Sequence, residues 1–270
     1  MLKKLFVHEW KDSWKLVTLF NGIVLLFTII GAVALSNGNW IGAINRNAWY
    51  AGIYMSYFML YYLAILALGT ATTIYFLVRF YKNFYTDQGY LMHTLPVTSH
   101  QLILSKAFVM YIWQLISGCV IFISILFLIN SFLLGVGEPN IFKLLSGVDL
   151  SDVNISFLNV LDLFVGILIF IGLQIFSILF GYLAISLGQL SKNHKLLSSI
   201  GIYMGMQVVL QMIFSIFQVG FNLAAATMNY TPSEGLVFAI LLLIAIIIFA
   251  VDAGMYFGSN YIMKNKLNLE

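Results

Sequence analysis

The sequence predicts an all-α, polytopic membrane protein with six transmembrane helices. Of its 270 residues, 61% are hydrophobic and only 9% are charged, whereas a soluble domain has about 25% charged residues. Six long segments lack Asp, Glu, Lys and Arg, and each is close to or longer than the roughly 20 apolar residues that cross a bilayer. We therefore expect residues 1–270 to form one transmembrane domain.

Each charge-free segment marks one predicted span. In chain order, the predicted bounds of the spans are 16–36, 49–79, 104–134, 160–188, 197–226 and 235–263. Residues 1–15 before them are expected to form an amphipathic helix in the membrane interface, because apolar and basic side chains fall on opposite faces. The apolar face holds Leu2, Leu5, Phe6, Trp10 and Trp14, and the basic face holds Lys4, Lys11 and Lys15. This helix is either an anchor alone or an additional contact for a cytoplasmic partner. Residues 138–158 have room for a short external helix.

Basic residues predict the orientation of the chain in the membrane. Eleven of the 13 Lys and Arg residues fall on the same side of the membrane as the two termini, and the exceptions are Arg46 and Lys143. Because Lys and Arg are held on the cytoplasmic side, we expect both termini to be cytoplasmic. Residues 80–104 then form a cytoplasmic loop between spans two and three.

Several kinds of catalytic site are not expected in this chain. The sequence has no phosphate-binding G-x-x-x-x-G-K-[ST] motif, and no Cys/His cluster suggests a metal. The stretch "HEWKD" at 8–12 ends in Asp12, so it lacks the second His of a zinc protease. We therefore expect neither an enzyme nor a cofactor-binding chain.

The segment "YTDQGYLMHTLPVTSHQL", residues 85–102, is unusually polar for its position between two spans. Asp87 can cap a short helix, Pro96 ends it, and Thr98 with Gln101 fits a capping box that opens span three. Tyr90, Leu91, Met92 and Leu95 would leave an exposed apolar patch on so short an element. The segment is either a docking site for a protein partner or a simple reversal of the chain.

The longer stretch "FYTDQGYLMHTLPVTSHQLILSK" resembles the loop between spans two and three of bacterial type-2 ABC exporter permeases. Those loops show a D-E-G-Y pattern, then T-L-P-V, then a Leu-rich stretch that ends in Ser-Lys. This sequence has Gln88 where the pattern has Glu, which puts one polar contact in doubt. Six spans, cytoplasmic termini, an amphipathic first helix and the missing nucleotide motif are similar to that family's layout.

The resemblance implies a multi-pass permease subunit of an ATP-driven exporter in the bacterial cytoplasmic membrane. Its partners would be a second permease, the same or different, and separate cytoplasmic ATPase subunits that hold ATP and Mg; no nucleic-acid partner is expected. The substrate would be an amphipathic peptide, a lipid or a drug-like molecule. The residues that the resemblance assigns to ATPase coupling are Asp87, Gln88, Gly89, Tyr90, Thr94, Leu95, Pro96 and Val97.

Two polar stripes run along the predicted spans. Span five carries Gln207, Gln211, Ser215, Gln218 and Asn222 on one helical face, and span two carries Tyr50, Tyr54, Tyr57 and Tyr61. The resemblance implies that spans two and five line the transport route. It thereby assigns the substrate pathway to Tyr54, Tyr57, Tyr61, Gln207, Gln211, Gln218 and Asn222. The alternative is that these side chains join helices or form an aromatic belt.

Asp252 is the one acid well inside a predicted span. It is either a substrate or gating contact, a hydrogen-bonding partner within the bundle near Gly254 or Ser259, or a protonated group. An ionisable group at this depth is also typical of an ion-coupled secondary transporter, which is one alternative function. Another alternative is a peptide sensor or immunity protein that transports nothing.

Overall fold

The protein is an all-α, multi-pass membrane protein. The computed structural model describes residues 2–36, 38, 40, 42, 44, 47–86, 98–146, 157–191, 194–228 and 233–265, and this part of the chain contains no strand. Its helices are α1 Leu2–Ser36, α2 Ala48–Tyr85, α3 Ser99–Val136, α4 Ile141–Ser146, α5 Phe157–Gly188, α6 Lys195–Met228 and α7 Glu234–Asn265. The predicted all-α fold is confirmed, and α4 is the short helix expected within 138–158.

Six of these helices, all except α4, are long and apolar enough to cross a membrane, as predicted. Several are much longer than the bilayer requires. At 1.5 Å per residue, the 38 residues of α2 extend about 57 Å, whereas the hydrocarbon core is about 30 Å thick. The 38 residues of α3 give that helix the same length. Both helices therefore have ends that extend beyond the hydrocarbon.

The connection between α2 and α3 is shorter than the predicted loop at 80–104. Residues 80–85 are the last part of α2, and residues 99–104 are the first part of α3. α3 begins at Ser99, five residues before the predicted start of span three and directly after the predicted cap Thr98. The backbone amides of Gln101 and Leu102 donate to the Thr98 carbonyl oxygen at 3.0 and 3.2 Å. The expected coupling residues at 87–97 lie outside the described residues.

The chain divides into two compact units. One, the amino-terminal unit, comprises Lys3–Tyr75 and Val109–Asn154, and the other, the carboxy-terminal unit, comprises Met1–Leu2, Phe76–Phe108 and Ile155–Glu270.

In the amino-terminal unit, α1 differs from the predicted interfacial helix at 1–15 followed by a span. Residues 2–36 form one helix without a break at residue 15. One buried face runs along its length through Glu9, Ser13, Val17, Asn21, Val24 and Thr28. The spacing of three or four residues keeps these side chains on one side of the helix, which explains why the helix continues through the predicted boundary.

The first turns of α1 pack on α3 of the same unit. Trp10 stacks on Trp113 with ring centroids 4.6 Å apart. Trp113 also donates its indole N–H to the Ser13 hydroxyl at 3.1 Å. Trp14, predicted on the same apolar face as Trp10, is 46% exposed. The beginning of the chain is therefore held by contacts with protein, in addition to any contact with lipid.

In the carboxy-terminal unit, α5 packs along α6 and α7. Gly172 of α5 faces Ile248 of α7, and Leu183 of α5 lies against Gly258. Both contacts advance in the same direction along the two helices, so α5 and α7 run parallel. The seam on α7 holds the buried residues Ala245, Asp252, Met255, Ser259 and Ile262.

Candidate functional site

The candidate site is the pair of helix ends that borders residues 87–97. The residues assigned to coupling, Asp87, Gln88, Gly89, Tyr90, Thr94, Leu95, Pro96 and Val97, lie outside the described residues. The structure does describe the end of α2 and the beginning of α3, both in the carboxy-terminal unit. These two borders are the described parts of the chain nearest to the predicted coupling residues.

The end of α2 is attached to α5 by a group of aromatic and hydroxyl side chains, which we name the aromatic anchor: Phe80, Phe84, Tyr85, Tyr182 and Ser186. Phe80 stacks on Tyr182 with ring centroids 3.8 Å apart and planes inclined by 8°. Both rings are almost fully buried, as is Phe84 beside them. Aromatic pairs contribute about 0.5–1.5 kcal/mol beyond the area that they bury.

A hydrogen bond completes the aromatic anchor. The Tyr85 hydroxyl lies 2.9 Å from the Ser186 hydroxyl oxygen. Ser186 directs its own proton to the Tyr182 carbonyl oxygen at 2.8 Å, so Tyr85 is the donor of the first bond. The last turn of α2 is therefore fixed to α5 by both packing and a directional bond.

Gly181 permits this close contact between α2 and α5. A Cβ at this position would overlap the Leu77 side chain of α2. Gly181 itself is fully enclosed in the unit. A larger residue would force the Leu77 side chain to move away from α5.

The beginning of α3 is attached to α7 through His100, in a group that we name the histidine tie: His100, Tyr256 and Asn260. The Nδ2 of Asn260 donates to His100 Nε2 at 3.2 Å. The ring proton of a neutral His100 is therefore on Nδ1, which donates to the Tyr256 hydroxyl oxygen at 2.8 Å. Both ring nitrogens are engaged with α7, so the histidine tie holds the ring in one orientation.

The two borders also contact each other. The Lys106 ammonium group of α3 lies 5.2 Å from the centroid of the Phe84 ring of α2. Lys106 is only 5% exposed, and its neighbours Leu102, Ile103 and Ser105 are buried with it. A cation over an aromatic face contributes about 0.5–2 kcal/mol, more when water is excluded. Both helix ends thus belong to one packed region.

The polar face predicted on span five is present on α6 and is exposed. Gln207, Gln211, Gln218 and Asn222 all have exposed side chains. Ser215 satisfies its hydroxyl within the helix by donating to the Gln211 carbonyl oxygen at 2.8 Å. No hydrogen bond joins the four amide side chains to another helix among the described residues, so they do not attach α6 to the described part of the chain.

The tyrosines assigned to the pathway have a different environment. Tyr57 donates its hydroxyl to the Phe27 carbonyl oxygen of α1 at 2.7 Å. Tyr61 is 7% exposed and lies in the core of the amino-terminal unit with Val24 and Leu128, and Tyr54 packs against the same core. The rings of Tyr54, Tyr57 and Tyr61 fill space between α1, α2 and α3, which is the arrangement expected of the helix-packing alternative. Their assignment to a substrate pathway stays a prediction.

Asp252 is buried in the carboxy-terminal unit without a hydrogen-bonding partner. It is 4% exposed, and neither carboxylate oxygen has a partner among the described residues. The hydrogen bond expected near Gly254 or Ser259 is not seen among the described residues, and Ser259 donates to the Met255 carbonyl oxygen of its own helix at 2.9 Å. A charged residue at mid-membrane costs about 2.5–3.5 kcal/mol on insertion scales, so a charge on this side chain would lower the stability of the unit.

Sequence reasoning did not identify the aromatic anchor or the histidine tie. The spacing of Phe80, Phe84 and Tyr85 resembles that of any apolar helix face, and their partners lie far along the chain. Within the described residues, no group of three or more His, Cys, Asp or Glu residues could hold a metal ion. The chain matches no protein-family model, no curated protein and no solved structure with which it was compared.

Proposed function

We propose that this chain is the membrane-spanning permease subunit of an ATP-driven exporter of the ABC class. In this proposal it lies in the bacterial cytoplasmic membrane with both termini in the cytoplasm. A separate ATPase subunit binds residues 87–97, and an amphipathic peptide, a lipid or a drug-like molecule is moved outward. The resemblance of residues 84–106 to the coupling loops of type-2 exporter permeases supports the class.

One structural observation supports the mechanism. Both helices that border residues 87–97 are attached to other spans, α2 to α5 through the aromatic anchor and α3 to α7 through the histidine tie. A movement of the segment by a bound ATPase would therefore be transmitted to four spans. A simple reversal of the chain would not require both helix ends to be fixed in this way.

A second permease subunit follows from the exposed amides of α6. An unpaired polar group in hydrocarbon costs several kcal/mol, and Gln207, Gln211 and Gln218 face away from the rest of the described chain. We infer that these amides face a second permease subunit or a wet route between two subunits. Either arrangement requires a partner on this side of α6.

Replacing Tyr90 with Asp tests the coupling role. We expect Tyr90→Asp to leave membrane insertion unchanged and to abolish ATP-dependent transport, because a carboxylate would be buried in an interface without a partner. The measurements are ATPase activity and substrate movement in proteoliposomes that contain this chain and the phosphate-loop ATPase that copurifies with it.

Thr98→Asp is the matched control. It introduces the same charge at an exposed position, and Asp is as good as Thr at a helix N-cap, so transport should stay near the wild-type rate. Normal export by Tyr90→Asp, together with unchanged copurification with the ATPase, would contradict the proposal.

An ion-coupled secondary transporter is the second candidate function. It is favoured by Asp252, whose buried carboxylate has no partner among the described residues, because ionisable groups at this depth often carry protons or ions. In this case an imposed proton gradient, without ATP, would drive transport.

Replacing Asp252 with Asn separates the two functions. If the ABC proposal holds, Asp252→Asn should retain ATP-dependent transport and raise stability by about 1–3 kcal/mol, since a buried group without a partner no longer bears a charge. Thermal unfolding in detergent measures the stability. Transport that follows a proton gradient in the wild type and disappears in Asp252→Asn would support the secondary transporter instead. A chain that binds a peptide but transports it under neither condition would be a sensor.

A further inference from the structure

An apolar cleft opens on the surface of the carboxy-terminal unit between α5, α6 and α7. Its volume is about 460 Å³, and every side chain that lines it is apolar. Phe176 and Phe180 of α5, Gly205 and Val209 of α6, and Val251 and Met255 of α7 form its walls. The cleft shares no lining residue with the aromatic anchor, the histidine tie or the polar face of α6.

The position of the lining residues places the cleft at the depth of the hydrocarbon. Phe180 lies eight residues before the last residue of α5, Gly205 lies ten residues after the first residue of α6, and Met255 lies ten residues before the last residue of α7. At 1.5 Å per residue, each is about 12–15 Å from that helix end. These helix ends share a side because α5 leads directly into α6 and α7 is parallel to α5. The 32 residues of α5 and of α7 make each of these helices about 48 Å long. The cleft therefore faces the interior of the bilayer.

Water cannot occupy such a cleft stably. A buried water molecule needs two to four polar partners, and the lining provides none. An empty cleft would leave its walls without dispersion contacts on one side. The molecules available at this depth are the acyl chains of lipids.

The dimensions favour an acyl chain over a protein segment. A transmembrane helix is about 10–12 Å across with its side chains, so it would lie over a narrow cleft bounded by three helices without filling it. A volume of about 460 Å³ is within the range of about 300–1,000 Å³ for pockets that hold small molecules. Gly205 keeps the cleft open, because a Cβ at this position would meet no atom within 4 Å.

We propose that this cleft is a binding site for one acyl chain of a membrane lipid, held between α5, α6 and α7. The site does not depend on an ATPase partner or on transport. Phe176, Phe180, Met206 and Met255 provide aromatic and thioether groups that adapt to a flexible chain. The lipid would thereby complete the packing of α6, which has few buried residues of its own.

Photocrosslinking tests this site directly. The full chain is reconstituted in vesicles of phosphatidylglycerol and phosphatidylethanolamine that contain a phospholipid with a diazirine in its acyl chain, and labelled peptides are identified by mass spectrometry. We expect labelling at Met206 and Met255 to exceed labelling at the lipid-facing Phe217, which is 68% exposed. Gly205→Phe should lower labelling at Met206 and Met255 roughly tenfold, equivalent to about 1.4 kcal/mol, because the new ring fills the cleft.

Gly201→Phe is the matched control, since Gly201 is one turn earlier on α6, also has open space at its Cβ and does not line the cleft. It should leave labelling unchanged, and thermal unfolding verifies that both variants are folded. The proposal is overturned if both variants are labelled like the wild type, or if Met255 is labelled no more than Phe217. Either result would mean that only ordinary bilayer lipid contacts this surface.

Discussion

Replacing Gln207, Gln211 and Gln218 together with Leu is expected to weaken association between two copies of the chain by about 10²–10³-fold. Interhelical hydrogen bonds in membranes contribute about 0.6 kcal/mol each on average. If each of the three amides in both copies donates one bond, the bonds together contribute about 3–4 kcal/mol. Insertion and folding of the single chain should be unchanged, because these side chains are exposed and form no contact that holds α6 to the rest of the described chain.

The measurement is the fraction of dimers in vesicles as a function of protein density, by single-molecule photobleaching of a labelled chain. Ser215→Ala is the control on the same helical face, since the Ser215 hydroxyl is already satisfied by the Gln211 carbonyl oxygen, and it should dimerise like the wild type. If the triple variant dimerises normally but loses transport, the amides line a wet route and do not join subunits. If the wild type does not dimerise, the second permease is a different chain.

The number of spans could be predicted from composition, whereas the inward face of each span could not. Charged residues are expensive in hydrocarbon, so the charge-free segments indicate where the chain crosses. Lipid and protein interior are equally apolar, and hydrophobicity therefore does not distinguish a buried face from an exposed one. Tyr57 and Tyr61 pack inward while Gln207 and Gln211 face outward, although both stripes had the same predicted role.

The sequence of α1 contains a pattern that could have predicted one continuous helix over residues 2–36. Three polar residues, Glu9, Ser13 and Asn21, share one helical face with Val17 at intervals of four and continue across the predicted boundary at residue 15. Such a row predicts a helix face that approaches another helix closely. The amphipathic pattern of Leu, Trp and Lys residues in the same segment was given more weight, and it led to a separate interfacial helix.

The borders of the candidate site depend on contacts that one sequence does not reveal. His100 and Tyr256 are separated by 156 residues, and Tyr85 and Ser186 by 101. The periodicity of apolar residues within one helix does not indicate which distant helix that helix contacts. The motif at 84–106 identified the segment by resemblance, but only the fold shows that both of its ends are attached to other spans.

Replacing Tyr182 with Ala is expected to destabilise the carboxy-terminal unit by about 3–5 kcal/mol, the usual cost of removing a buried aromatic ring. The Tyr182 ring is almost fully buried and stacks on Phe80, so its loss leaves a cavity beside the end of α2. Denaturant titration of the purified chain in detergent, followed by fluorescence, measures the change.

Phe170→Ala is the control for this change, because it removes an aromatic ring from the same helix at a position that is 53% exposed, and it should alter stability by less than about 1 kcal/mol. Tyr85→Phe removes only the hydrogen bond to Ser186 and should cost about 0.5–1.5 kcal/mol. If α2 transmits the movement of residues 87–97 to α5, Tyr85→Phe should also reduce the transport obtained per ATP hydrolysed while the ATPase still binds. Equal losses in Tyr182→Ala and Phe170→Ala, or unchanged coupling in Tyr85→Phe, would show that the aromatic anchor is not the connection between these helices.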